Sequence, residues 1–262
     1  MSKKYTIRDI AKQAGVSVAT VSYVINNRDD QRISDETKKK VRQIINLLDY
    51  KPNSSAKSLA TNKTYTAALY LTHEESLYKR SEQLFAAQAL STVLKQHGYH
   101  LLLQSEGDLN QIDYADAVFC YDTTTEFFCE VGDKNLIPLI AIDILIDAPL
   151  QIFFQVCTDY QKQKEQADAH FGKDNYTYFC LSPNNQEIKT MISDTFEKVC
   201  FLEDEPVSLT GNVVYSQSSL HSLVPSDAFY ISYDMQSKME QVFSCMELAL
   251  NRVPDCIHLC LV

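Results

Sequence analysis

Apolar residues in the first fifty positions recur at helical spacing. Ile7, Ile10, Ala11 and Ala14 form one stripe, and Thr6 stands three residues before Asp9, the spacing at which a hydroxyl and a carboxylate satisfy a helix's first orphan amides. Gly15 then provides the residue best able to take positive φ at a helix end, so "AGVS" predicts a tight turn. Ser17 is the next N-cap, and Val21, Val24 and Ile25 give the second helix a narrow inner face. Ser34 caps a third helix, with Asp35 and Glu36 in its first turn and Val41, Ile44, Ile45 and Leu48 inward. Three short helices with a tight turn between the first two make a helix-turn-helix unit. In "YKPNSSAKSLAT", Pro52 ends the third helix, and Asn53 or Ser54 can cap a short helix through Ala56 to Leu59 that is too brief to be stable alone.

Beyond Lys63 the period changes. "YTAALYL", "YHLLLQ", "DAVFCYD", "LIPLIAID", "LQIFFQV", "YTYFCLS", "DAFYISYD" and "CIHLCLV" read as strands. "QLFAAQALSTVLKQHG", "DYQKQKEQADAHF", "QEIKTMISDTFEKV" and "QSKMEQVFSCMELAL" read as helices between them. Buried strands alternating with helices predict a doubly wound parallel α/β body with two similar lobes.

Charge sharpens this division. Residues 1 to 63 hold thirteen Lys or Arg against six Asp or Glu, a net of +7, whereas the remaining residues hold eleven against twenty-eight, a net of −17. A basic head on an acidic body is the pattern of a nucleic-acid-binding module attached to something that should not bind nucleic acid. The outward positions of the second helix, Val18, Ala19, Ser22, Tyr23 and Asn26, are small or hydroxylated and uncharged. Such a face can approach base edges closely: Ser, Asn and Tyr offer hydrogen bonds, and Val or Ala can touch a thymine methyl.

Composition adds exclusions. No apolar run approaches the ~18 residues of a membrane span, and "MSKKYTIRDIAKQ" has no apolar core of a signal peptide, so a cytoplasmic protein without membrane association is expected. The eight cysteines are scattered through apolar stretches, without a C-x-x-C pair, and read as reduced buried thiols. Cys256, His258 and Cys260 would share one strand face, a pattern that a plain core strand of small hydrophobes explains better than a zinc or redox role; no metal site, cofactor or catalytic residue is expected. The glycines are too dispersed for G-x-G-x-x-G or a phosphate loop, and no G-x-S-x-G elbow occurs, so the sequence does not support an enzyme.

The runs "TIRDIAKQAGVSVATVSYVIN" and "ISDETKKKVRQIINLLDYKPNSSAKSLA" resemble the DNA-binding head of the lactose-repressor (LacI/GalR) family over about sixty residues. The resemblance implies a helix-turn-helix domain at 1–51, a hinge at 52–63 and an effector-like, dimerising α/β body at 64–262. It places Val18, Ala19 and Tyr23 at the base-choosing positions of the recognition helix, with Ser17, Ser22 and Asn26 nearby for phosphate or base contacts. Thr6, Ile7, Thr20, Ser34, Thr37 and Tyr50 complete the DNA-facing set of the head. In the hinge it implies DNA contact by Asn53, Ala56, Lys57 and Leu59, the leucine wedging between base pairs. Most relatives carry Arg where this chain has Tyr23, which argues for a changed operator because Tyr lacks the bidentate guanine contact.

The body resembles the family's sugar-binding-protein-like domain less specifically. Asp159 in "CTDYQKQKEQA" and Asp234 in "FYISYDMQSKM" look like cleft carboxylates for ligand hydroxyls, and helix N-caps explain both equally. The family's usual arginine falls on Ile192, with Thr195 in place of the glycine that follows it, and the chain is shorter than typical relatives. The expectation is a homodimeric, sequence-specific DNA-binding regulator, a repressor on a near-palindromic double-stranded operator, modulated by a sugar or sugar phosphate. The alternative keeps the DNA-binding role with a degenerate body that only dimerises or senses redox state or metal through its cysteines.

Overall fold

A computed structural model describes residues 5–25, 28, 32–48, 50, 63–107, 109–146, 154–203, 209–232, 234–253 and 258–262. The chain divides into two compact units, Met1–Lys63 and Thr64–Val262.

The first unit is three helices, α1 (Ile7–Ala14), α2 (Val18–Ile25) and α3 (Asp35–Leu47). Each cap follows from local chemistry. Thr6 and Asp9 close a reciprocal capping box, with the Thr6 amide donating to Asp9 Oδ2 at 2.8 Å. Gly15 ends α1 at φ 67°, a left-handed conformation that costs other residues about 1–2 kcal/mol. Ile10, Ala11, Ala14, Val21, Val24 and Val41 form the core of this unit, and Ile44, Ile45 and Leu48 pack against it partly buried.

The second unit has two lobes. In the first, a six-stranded parallel sheet runs in the order β10-β5-β4-β3-β1-β2. Its strands are β1 (Thr66–Leu71), β2 (His100–Ser105), β3 (Ala117–Tyr121), β4 (Leu139–Ile142), β5 (Phe154–Cys157) and β10 (Leu259–Leu261). Alternate residues of the apolar runs serve opposite faces, which is why the runs are continuous rather than alternating. Ala67, Leu69, Phe119, Ile140 and Ile142 meet α4 (Leu77–Gln96) and α8 (Met235–Leu250), whereas Ala68, Tyr70, Val118, Cys120 and Ala141 meet α5 (Thr125–Lys134).

The second lobe is a four-stranded parallel sheet, β7-β6-β8-β9, from Val199–Leu202, Thr177–Leu181, Val213–Tyr215 and Phe229–Tyr230. Helices α6 (Tyr160–Phe171) and α7 (Gln186–Thr195) cover one face through Ala167, Ile188 and Ile192. The chain passes from β5 into α6 and returns from β9 through α8 to β10, so two crossings join the lobes.

Helix α5 and strands β7 and β8 go beyond the elements read from periodicity. Helix α5 carries Phe127, Phe128 and Val131 before a glycine, too short an apolar stripe to register, and β7 and β8 are only four and three residues long. "DAFYISYD" contributes a strand of only two residues, because the second sheet ends there and the following Asp234 begins α8.

The body's first strand is anchored by one carboxylate. Asp116 accepts from the Thr64 amide at 2.7 Å, the Thr64 hydroxyl at 2.9 Å and the Tyr65 amide at 2.9 Å. Asp116→Ala leaves these donors without their acceptor and is expected to lower body stability by about 1–3 kcal/mol in urea unfolding.

Candidate functional site

In the head, the turn at Gly15 delivers α2 with Val21 and Val24 inward. Ser17 and Ala19 are therefore exposed, Val18 is 42% exposed, and Thr20, Ser22 and Tyr23 are partly exposed. No charged residue lies in α2, so the short side chains set how close another surface can come. Ser17 accepts from the Thr20 amide at 3.0 Å and its hydroxyl lies 2.9 Å from that of Thr20. The same device repeats at α3, where Ser34 accepts from the Thr37 amide at 3.3 Å with the hydroxyls 2.9 Å apart. Ser17 and Ser34, both read as DNA-facing, thus also serve as helix caps. Thr6 is exposed at the α1 cap, and Ile7 and Tyr50 pack partly buried against the head's core. Asn26, Asn53, Ala56, Lys57 and Leu59 lie outside the described residues.

In the body, a cleft of about 700 Å³, its open mouth included, lies where the two lobes meet. Its floor is set by strand ends: Asp122 follows β3 and Asp143 follows β4, both with left-handed backbone at φ 45° and 51°. Ligands of α/β folds characteristically bind beyond such carboxyl ends. "DAVFCYD" and "LIPLIAID" each end on these aspartates, a signal present in the sequence but not taken up.

The polar lining is paired across the cleft. The Asn184 amide donates to Asp122 Oδ1 at 2.9 Å, and its Nδ2 donates to the Asp122 carbonyl at 2.9 Å, to Thr72 Oγ1 at 3.2 Å and to Glu74. Lys79 Nζ donates to Asn184 Oδ1 at 2.6 Å and lies 3.6 Å from Glu74. Asn185, fully buried, accepts from the Leu145 amide at 3.0 Å while capping α7, and its Nδ2 donates to Thr125 Oγ1 at 3.0 Å. Deeper in, Tyr178 donates to Gln163 Oε1 at 2.7 Å and lies 3.2 Å from Ser216 Oγ. Buried Lys238 reaches Asp143 Oδ1 at 2.5 Å and Thr158 Oγ1 at 3.0 Å.

Burial pushes the Asp122 carboxyl up to about 7, with Asp143 and Glu74 adding to the rise while Lys79 and the Asn184 amide oppose it. Burial likewise pushes the Tyr160 phenol well above its ordinary range. Asp159 and Asp234 stand as N-caps of α6 and α8: Asp159 accepts from the Lys162 amide at 3.0 Å, and Asp234 from those of Gln236 and Ser237 at 3.0 and 3.2 Å. The fold brings the two together in a second groove with Gln163 and Lys238, while their chain neighbours Thr158, Tyr160 and Met235 line the main cleft. Ile192 lines the main cleft and belongs to the second lobe's core, and Thr195 donates its hydroxyl to the Met191 carbonyl at 2.7 Å.

A helix-turn-helix domain and a two-lobed, periplasmic-binding-protein-like α/β body in one chain define the class. Residues 6–53 match the family model "Bacterial regulatory proteins, lacI family". Catabolite control protein A of Streptococcus mutans is 33% identical over 116 residues, 44% of this chain and 33% of that protein. The protein of that name in Staphylococcus epidermidis is 25% identical over 251 residues, 87% of this chain and 73% of the relative. The matched stretch therefore spans a third of the length of the first relative and about three quarters of the second. A solved lac repressor dimer, bound to operator and the anti-inducer ONPF, superposes with a TM-score of 0.59 at 12% identity, covering 99% of this chain and 96% of that one. Residues 6–53 thus match the lacI family model, and the chain shares the fold of a lac repressor.

Because the folded-state pKa of Asp122 lies above the ordinary value of about 3.9, the native state holds a proton that the unfolded chain has released between about pH 4 and 7. Its contribution favours folding at the acid end of this window and is lost as pH rises through 7. Asp122→Asn is expected to flatten that part of the stability-against-pH curve and to raise stability at pH 8 relative to the parent, measured by urea unfolding.

Proposed function

We propose that the chain is a sequence-specific DNA-binding transcriptional regulator, a repressor, that acts as a homodimer on a near-palindromic operator. The observation that carries the reading is the uncharged outer face of α2, with Val18 and Ala19 exposed and Tyr23 partly so, beside the basic remainder of residues 1 to 63. Short side chains let a helix reach base edges, while Lys and Arg neutralise phosphates. The lac repressor neighbour, described as a dimer bound to operator, supports the same reading.

Two-fold pairing follows from geometry, since two recognition helices must meet successive major grooves. Exposed apolar residues on α4 and the edge strand β2, namely Leu84, Phe85, Leu102 and Leu103, supply surface for a second copy. The proposed domain assignment is a DNA-binding domain at 1–51, a hinge at 52–63 and a dimerising body at 64–262. The cytoplasm is the compartment consistent with this role, and no helix among the described residues is long and apolar enough to cross a membrane.

A second reading concerns the effector. Modulation by a sugar or sugar phosphate is the family expectation, with Asp159 and Asp234 as the carboxylates first considered. The pairing of Asn184 with Asp122, Thr72 and Lys79 favours a body whose lobes are held by their own side chains. A hydroxylated ligand entering the main cleft must replace those bonds, which leaves little net gain from each new one.

Two experiments test these readings. Selection from random duplexes is expected to yield a near-palindromic site whose affinity falls with salt at a log-log slope of roughly −0.9 per phosphate contact. Tyr23→Ala should relax preference at one position of each half-site by about 1–3 kcal/mol, whereas binding indistinguishable from that to random DNA overturns the proposal. A thermal-shift screen of sugars and sugar phosphates is expected to give no stabilising ligand for the parent chain; a hit abolished by Asp159→Ala or Asp234→Ala restores the effector reading.

A further inference from the structure

The proposed function leaves the cysteines without a role, yet two of them are juxtaposed. Cys245 on α8 and Cys260 on β10 place their sulfurs 3.8 Å apart, and Gln241 Nε2 donates to both, at 3.8 and 3.6 Å. Cys245 is fully buried, whereas Cys260 is partly exposed on the edge strand of the first lobe's sheet. The partly exposed cysteine is the one a small oxidant reaches first, and the buried sulfur lies in contact with it. This is the arrangement of a peroxidatic thiol and its resolving partner.

We propose that Cys245 and Cys260 form a redox site that closes to an intramolecular disulfide when the chain meets a hydroperoxide. Attack of the Cys260 sulfur on hydrogen peroxide breaks the O–O bond, leaves Cys260 as a sulfenic acid and releases one water. The Cys245 sulfur then attacks the sulfenic sulfur. The S–S bond forms as the S–O bond breaks, and the departing hydroxyl leaves as a second water with the remaining thiol proton. Two thiols are oxidised and one peroxide is reduced to two waters. A dithiol reductant reverses the change.

The approach needed is small. Sulfurs at 3.8 Å must close to about 2.05 Å, and β10 is bonded to one neighbouring strand, β5, so it can adjust without disturbing the sheet's interior. The bridge would tie residues fifteen positions apart and fix the edge strand to α8, the helix whose Lys238 reaches Asp143. Oxidation is therefore expected to protect the amides of residues 259–261 from exchange.

The test treats the full-length chain with hydrogen peroxide, counts free thiols in denaturant and maps linked peptides by mass spectrometry. The parent should fall from eight titratable thiols to six, with Cys245 joined to Cys260, and return to eight with dithiothreitol. Cys260→Ala should keep all seven of its thiols, and Cys245→Ala should lose one, Cys260 halting as a sulfenic acid with no bridge formed, while Cys129→Ser, which removes an exposed thiol, should fall from seven to five. Far-UV circular dichroism and exchange of the untreated variants establish that each is folded. Should a variant misfold, peptide mapping of the folded parent still decides the outcome. Retention of eight thiols in the parent, a bridge to another cysteine such as Cys256, or over-oxidation of Cys260 without a bridge overturns the proposal.

Discussion

The body depends on one buried ion pair. Lys238, 1% exposed, comes from α8, the helix by which the chain returns from the second lobe. Its partners, Asp143 and Thr158, stand at the ends of β4 and β5, the second of which leads the chain out to the second lobe. An ammonium removed from water is tolerated only with a close counter-charge and further acceptors, so the outgoing and returning segments must meet at this point. The Thr158 amide and hydroxyl also reach Asp143, at 3.1 and 3.2 Å, which spends the carboxylate's remaining capacity within the same knot. The spacing of the lobes is set there.

Once that spacing is fixed, the rims of the cleft come within reach of each other. Asn184 and Asn185, consecutive in sequence, use amide groups that both donate and accept to join segments of the first lobe that carry Thr72, Asp122, Thr125 and Leu145. A carboxylate confined beside them is raised toward neutrality by loss of solvent more than it is lowered by Lys79. The cleft is thus a polar site whose partners are mutual, and this bears more on ligand response than its volume does.

The head follows from simpler constraints. A left-handed Gly15 between two helices, serine caps at α2 and α3, and three small apolar stripes leave the outer positions of α2 little to do for the core. Freed from packing, they are uncharged all the same, although α3 carries three consecutive lysines on the same small unit. This contrast between neighbouring helices is the strongest structural reason to assign them different work.

The sequence by itself determined what depends on neighbours a few residues apart. The capping box at Thr6 and Asp9, the turn at Gly15, the N-caps at Ser17, Ser34, Asp159 and Asp234, and the continuous apolar runs of the inner strands β1, β3 and β4 all arise from local hydrogen bonding or from two-faced burial. Shorter elements were not legible, since β8 has three residues and β9 two, and such strands exist only because a sheet is already there to extend. Tertiary structure alone decided that Asp122, Asp143 and Ile192 line one cleft, that Asn184 and Lys238 bond to those two aspartates, and that Cys245 faces Cys260. Asn184 lies 62 residues from Asp122 and Lys238 lies 95 from Asp143. Side-chain patterns report the faces of single elements, whereas pairings at such separations are set by how the crossing segments are drawn together.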